Sequence, residues 1–498
     1  MYAAVPHDIR TLIVRDRLGN IYVRGIAFTM ALAVLMLVVH AGAQTTYAMA
    51  LPLIGFGALF AIFAFIRLGE RALYLADPTL LGQELTFQFF KWFGRAKHGQ
   101  WRADEPTVQE HYRRRAKAAV DSLVSLGAIA GGEPHLRGAS AQQLLSRTCS
   151  LIVRYLRERH HVPTASRWYG ERYEHPQWYL SDYSRVQLAS MTGALEPRKV
   201  PDVTWVEADL LRPQINSVVS DVRSGDYDSA YAGLGSLADV WEAVGAVWDA
   251  EDGARWTEEL ADGVVAALTS TENKRVDRPV MLPGVADALA FVPLSLELGF
   301  HKSIVDKDLA SLGDRLATSD WLPPDAAYTL ALPRPVVQRL EQIRDGLAFE
   351  RASLAPELTR TPGWWIRETA MQSLQWAFHE QIHSLLDLLG PWYLKTADAL
   401  TQANMPKAAA AVLARAHELS LKLAHHVIDW EEIAGAIRGE PRLDYARPQW
   451  DWSALNARVR ELRRGVDERL SRSILALGGW WRTVSCAGFA TGSRCSTA

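Results

Sequence analysis

The sequence predicts a mainly α-helical chain: an N-terminal two-helix transmembrane hairpin, then a large all-α, helical-hairpin or solenoid-like cytoplasmic region. Three observations predict it. Gly25 to Ile66 contains no Asp, Glu, Lys or Arg. Beyond that run, apolar residues recur mostly at helical spacing, while alternating strand patterns and Asn-Gly hairpin signals are missing. Finally, 498 residues that are 49% hydrophobic and 22% charged form an ordinary globular balance, which excludes wholesale disorder and leaves room for several folding units.

The expected divisions are a cytoplasmic N-terminal segment (1–24), the hairpin (25–66), a juxtamembrane helical region (67–131), a helical domain with an aromatic loop and an acidic face (132–278), a C-terminal helical domain (279–480) and a flexible tail (481–498). A bilayer core about 30 Å thick takes roughly 20 helical residues. The 42 charge-free residues from Gly25 to Ile66 therefore supply two crossings and a turn. The turn is legible in Ala41-Gly42-Ala43-Gln44-Thr45-Thr46-Tyr47, the one small and polar stretch of the run. Lipid offers the backbone no hydrogen bonds, so each arm must be helical. Arg10, Arg15, Arg17 and Arg24 precede the arms, and Arg67, Arg71, Lys91, Arg95 and Lys97 follow them. Basic residues stay on the cytoplasmic side, so both termini are expected there. A cleaved signal peptide disagrees with the 24-residue lead and with the second apolar arm.

Net charge is −2, so no global excess argues for nucleic acid. The three cysteines, Cys149, Cys486 and Cys495, form no CxxC and no even framework, which fits a reducing compartment. Arginine exceeds lysine, and alanine and tryptophan are frequent, a composition that points to a GC-rich bacterium and hence to the bacterial inner membrane.

Past the hairpin, Leu80, Leu81, Leu85, Phe87, Phe89, Phe90, Trp92 and Phe93 crowd one segment ending in Lys91, Arg95 and Lys97. It suits either the headgroup boundary or a core helix. Glu110 to Ala130 continues in helical period until Gly131-Gly132 breaks it. Ser140 opens the next helix, ending near His160-His161. From Trp168 to Trp205, aromatic rings alternate with Pro176, Pro197 and Pro201, the composition of loops packed on a scaffold. Between Asp202 and Leu260, thirteen acidic residues face only Arg212, Arg223 and Arg255, which makes an acidic helical surface. From Pro279 to Ala355, the prolines predict short helices joined by stiff bends. A longer helix is expected from Pro362-Gly363 to Gly390-Pro391, another over about Pro406 to Ile437, and a last one capped by Asp451 whose Trp452, Leu455, Val459, Leu462 and Val466 form a two-heptad seam.

One motif carries chemistry. His379-Glu380-Gln381-Ile382-His383 reads HExxH, which resembles the zinc-peptidase motif: two histidines one helical turn apart hold a metal ion, and Glu380 accepts a proton from metal-bound water. Gln381 stands where those peptidases usually place an apolar residue, and Leu389 occupies the position of a metzincin third histidine. His417, Glu418, His425, His426 and Asp429 lie on the next long helix, and His425 with Asp429 is the expected completing pair, which makes His379, His383 and His425 the candidate metal ligands. There is no GxxxxGK[ST], GxGxxG after a strand, GxSxG, CxxC or kinase set.

The expected function is therefore a membrane-anchored helical scaffold or adaptor subunit of a bacterial inner-membrane assembly for secretion, conjugation, envelope or defence work. Its expected partners are other protein subunits at the inner membrane, the lipid bilayer and a possible second copy of itself, with no nucleic acid and no cofactor. The alternative is a membrane-tethered zinc-dependent hydrolase or peptidase with Glu380 as its base. The missing catalytic signatures weigh toward a binding protein rather than an enzyme.

Overall fold

The computed structural model describes residues 17–40, 47–97, 105–132, 139–162, 166–174, 187, 191, 198–270, 281–306, 379–437 and 452–477. These are almost entirely helical, and they divide into two compact units, residues 1–148 with 164–213 and residues 149–163 with 214–498. Several expectations fall outside the described residues: the segment before Arg17, the rings of Trp178, Tyr179 and Tyr183, the prolines from Pro323 to Pro356, the helix start at Pro362-Gly363, the cap Asp451, and the tail with Cys486 and Cys495.

In the first unit, α1 (Arg17–His40) and α2 (Tyr47–Ala76) flank the expected turn, and both run beyond the charge-free window. They pack on each other so closely that a Cβ on Gly25 would lie 2.8 Å from the Phe60 ring. Thr29 spends its hydroxyl inside α1, donating to the carbonyls of Gly25 at 3.0 Å and Ile26 at 2.8 Å. Among the described residues, one helical stretch is long and apolar enough to cross a membrane, Leu282–Ser303 in the second unit, and 61% of its window is buried; Ile21–Leu35 in α1 is apolar but shorter.

The next helix, α3 (Pro78–Ala96), starts at the Asp77 cap, whose carboxylate accepts the Thr79 N–H at 2.8 Å, with Pro78 in the first turn where its missing N–H costs nothing. Leu81, Leu85, Phe89 and Phe93 recur every four residues, and all four are buried, facing α4 (Pro106–Gly132). The face bearing Phe89 and Phe93 is therefore core, while Phe87, on another side of the same helix, is exposed. Trp168 closes the cluster, 5.5 Å from the Phe93 ring and 5.6 Å from Trp205, while Arg113 and Lys117 lie over the Trp205 ring. The region expected to be loop also holds a short antiparallel pair, β1 (Glu171–Glu174) with β2 (Arg198–Pro201). It is entered at Gly170, whose φ of +71° only glycine adopts cheaply.

The second unit takes the C-terminal half of α5 (Ala139–Glu158), most of α6 (Trp205–Ser224), then α7 (Tyr227–Ala246), α8 (Ala250–Thr269), α9 (Leu282–Asp306), α10 (Gly390–Gln402), α11 (Pro406–Ile437) and α12 (Trp452–Leu477). α9 packs against α7, α8 and α11. It meets α7 backbone to backbone: a Cβ on Gly299 would sit 1.8 Å from the Glu242 carbonyl oxygen, and one on Gly245 would sit 2.0 Å from that of Leu296.

Two proline-based expectations are corrected here. α9 is 25 residues long with Pro293 inside it, not a short helix. The cost of an interior proline, about 3 kcal/mol, is offset by burying Ala290, Val292, Leu294 and Leu296 around it. Likewise, the helix expected to stop at Gly390-Pro391 continues. A π-helical turn at Leu385–Leu389 absorbs the extra residue, and α10 follows with Pro391 in its first turn. The seam in α12 forms as the spacing predicts, with Leu455, Val459, Leu462 and Val466 buried against α11 and α10. Arg469 adds a two-pronged ion pair to Asp398, at 3.0 and 3.1 Å.

Candidate functional site

The HExxH residues lie on one helical turn just before the π segment. Its inner side is Gln381 and Ile382, both buried; Glu380 is exposed, and His379 and His383 are half-buried. Gln381 serves the packing of the bundle, because its side-chain oxygen accepts the N–H of Ala250, the first residue of α8, at 3.0 Å. Helix starts leave such donors without intrahelical partners, and a buried one needs an acceptor. The polar residue that departs from the peptidase pattern is thus a remote cap for another helix.

The two histidines do converge, with Nε2 atoms 3.2 Å apart. The Arg458 guanidinium on α12 donates to His383 Nδ1 at 2.8 Å, so that nitrogen is the acceptor and the His383 proton sits on Nε2, aimed at His379. Arg458 also pairs with Asp387, whose carboxylate is 3.9 Å from the same His383 nitrogen. Burial, reinforced by His383, pulls the His379 pKa down to about 4. For His383 the direction is also downward, from burial first and then Arg458, with Glu380 acting against them. Metal-binding histidines ordinarily donate their second nitrogen to a carboxylate, which raises ligand basicity. Here a cation occupies that place and does the opposite.

The third expected ligand is elsewhere. His425 is exposed on α11, and its neighbour His426 turns inward. Among the described residues, the one group of three His, Cys, Asp or Glu residues whose ligand atoms converge is Glu297, His301 and His426, all within 4.8 Å of one another. Glu297 and His301 stand four apart on α9, hence one above the other on a single face. His426 comes from α11 and contacts Glu297 Oε1 through Nε2 at 2.7 Å. Sequence reasoning had a signal for this group, the Glu-x-x-x-His spacing of Glu297 and His301. It lay hidden inside an apolar helix, with no local sign that His426 would meet it.

Nearby, Arg415 on α11 forms a two-pronged pair with Asp287 on α9, 2.9 and 3.0 Å, and a third bond to Glu418 at 3.0 Å. Those contacts hold the guanidinium charged and clamp α9 to α11. Cys149 is buried, and burial, with Asp239 adding to it, pushes its thiol well up, so it offers no thiolate.

No family model matches the chain, and no curated protein or solved structure matches it.

Proposed function

We propose that the chain is a membrane-anchored scaffold or adaptor of a bacterial inner membrane, with α1 and α2 as a spanning hairpin and both termini cytoplasmic. One observation carries this reading. Thirteen of the twenty exposed large hydrophobic side chains among the described residues lie on α1 and α2, from Ile21 and Phe28 to Phe65 and Ile66, a share that water would penalise and lipid would not. The absence of charge from Gly25 to Ile66 and the arginines at both margins support the same placement. Protein binding is the role that fits a helical body whose HExxH histidine His383 meets the Arg458 guanidinium rather than a third metal ligand. Its partners would be other inner-membrane subunits or a second copy of the chain. The hydrolase alternative is weakened by the Arg458 contact on His383 and by the exposure of His425.

The test is fractionation of expressing cells followed by alkaline carbonate extraction, with protease digestion of intact spheroplasts. Retention in the extracted membrane pellet, with a C-terminal tag protected until lysis, is expected. Release of the full chain by carbonate, or tag cleavage from outside, would overturn the placement. Proteins that co-purify from detergent extracts then test the adaptor role.

A further inference from the structure

The geometry points to a zinc-binding site formed by Glu297 and His301 of α9 with His426 of α11, distinct from the HExxH turn and independent of the membrane placement. The three side chains supply one carboxylate and two imidazoles, a set suited to a borderline divalent ion such as Zn²⁺. Around a tetrahedral ion with bonds of about 2.0–2.1 Å, ligand atoms lie roughly 3.3 Å apart. The present separations, 2.7 Å for the Glu297–His426 contact and none above 4.8 Å in the group, reach that arrangement by small side-chain rotations.

A second feature points to a cation. Glu297 is 1% exposed, and its Oε2 is buried without a hydrogen-bond donor. The Lys422 ammonium forms a long ion pair with it at 3.7 Å, beyond hydrogen-bond reach. A buried carboxylate oxygen left in that state is costly, and a bound cation removes the cost. Lys422 is part-exposed on a flexible stem and is free to turn to water when the ion arrives. The wall of the site is apolar and aromatic: the Phe300 ring packs edge-on to His426 at 5.6 Å, and the His301 ring lies 5.0 Å from that of His426. His301 is nearer the surface than the other two and marks the side from which an ion enters. Three protein ligands leave the fourth position for water.

The experiment uses the full chain in detergent, stripped of metal and titrated with Zn²⁺ by calorimetry, with Co²⁺ absorption reporting coordination geometry. About one equivalent of zinc is expected to bind and to raise the unfolding temperature. Because His301 is the least buried ligand, His301→Ala should keep the fold by circular dichroism while weakening zinc roughly tenfold or more, and it should abolish the tetrahedral cobalt bands. His383→Ala should leave binding unchanged. No zinc binding by the unaltered chain, or binding indifferent to His301→Ala, would show that Glu297 and His426 are only a buried structural pair. Loss on His383→Ala alone would move the metal to the HExxH turn and overturn this assignment.

Discussion

Gln381 and Ala250, 131 positions apart in the chain, are joined by a 3.0 Å hydrogen bond from the Ala250 N–H to the Gln381 side-chain oxygen. Both residues are buried. The α7–α8 turn it anchors is strained, since Trp248 sits fully buried at φ 63°, a conformation costly for a bulky side chain. The Trp248 indole N–H donates to Ser303 Oγ at 2.7 Å, and Arg159 pairs with Asp249, so neighbouring elements hold the turn from three sides.

Replacing Gln381 by Leu strips the Ala250 N–H of that acceptor. A loss of about 1–3 kcal/mol is expected by thermal or denaturant unfolding in detergent. Glu380→Ala, one residue away and exposed, should change stability by less than about 0.5 kcal/mol. Equal effects from the two variants would show that the contact does not matter.

Two glycines of the same unit should respond in opposite directions to alanine. Gly299→Ala forces α9 away from the Glu242 carbonyl and should cost roughly 3 kcal/mol or more. Gly235, exposed in the middle of α7 with open space around its Cβ position, should gain about 0.5–1 kcal/mol on the same change through lower unfolded-state entropy. Unfolding midpoints of the two variants check both signs.

His379 imposes a pH dependence. Its folded pKa of about 4 lies below the ordinary 6.5, so the unfolded chain binds more protons between those values. Stability is therefore fully present above about pH 6.5 and falls as pH drops toward 4. His383, Arg458, Glu380 and Asp387 surround the pair and are retained in the variant. His379→Gln should flatten the slope of unfolding temperature against pH in that window, and an unchanged slope would exclude His379 as its source.

Under the proposed placement of α1 and α2 in a membrane, a charge added to α2 should shift the chain's partitioning. Ile62→Arg, on the exposed face of α2, should raise the insertion free energy by roughly 2.5–3.5 kcal/mol and move a measurable fraction into the carbonate supernatant. Tyr231→Arg, equally exposed but on α7, should leave the distribution unaltered.

Much of the local structure was readable in advance because its causes are local. Pro406 opens a helix that runs to Ile437 as expected, and the expected seam of α12 buries Leu455, Val459, Leu462 and Val466. Prolines misled where packing outweighed them, inside α9 at Pro293 and at Pro391, where a π turn made a helix start out of an expected stop. The HExxH histidines were visible as a pair, but their neighbour was not, since Arg458 lies 75 residues downstream in sequence.

What the amino-acid order determined by itself was the helical character of the chain, the charge-free run at its start and the faces its helices would bury, all set by interactions spanning one or two turns. Tertiary structure alone decided which polar side chains meet. The one-residue difference between exposed His425 and buried His426 is a rotation of about 100° around α11, fixed by how that helix docks on α9 and α12. Helical spacing says that a face exists; only packing says what it faces.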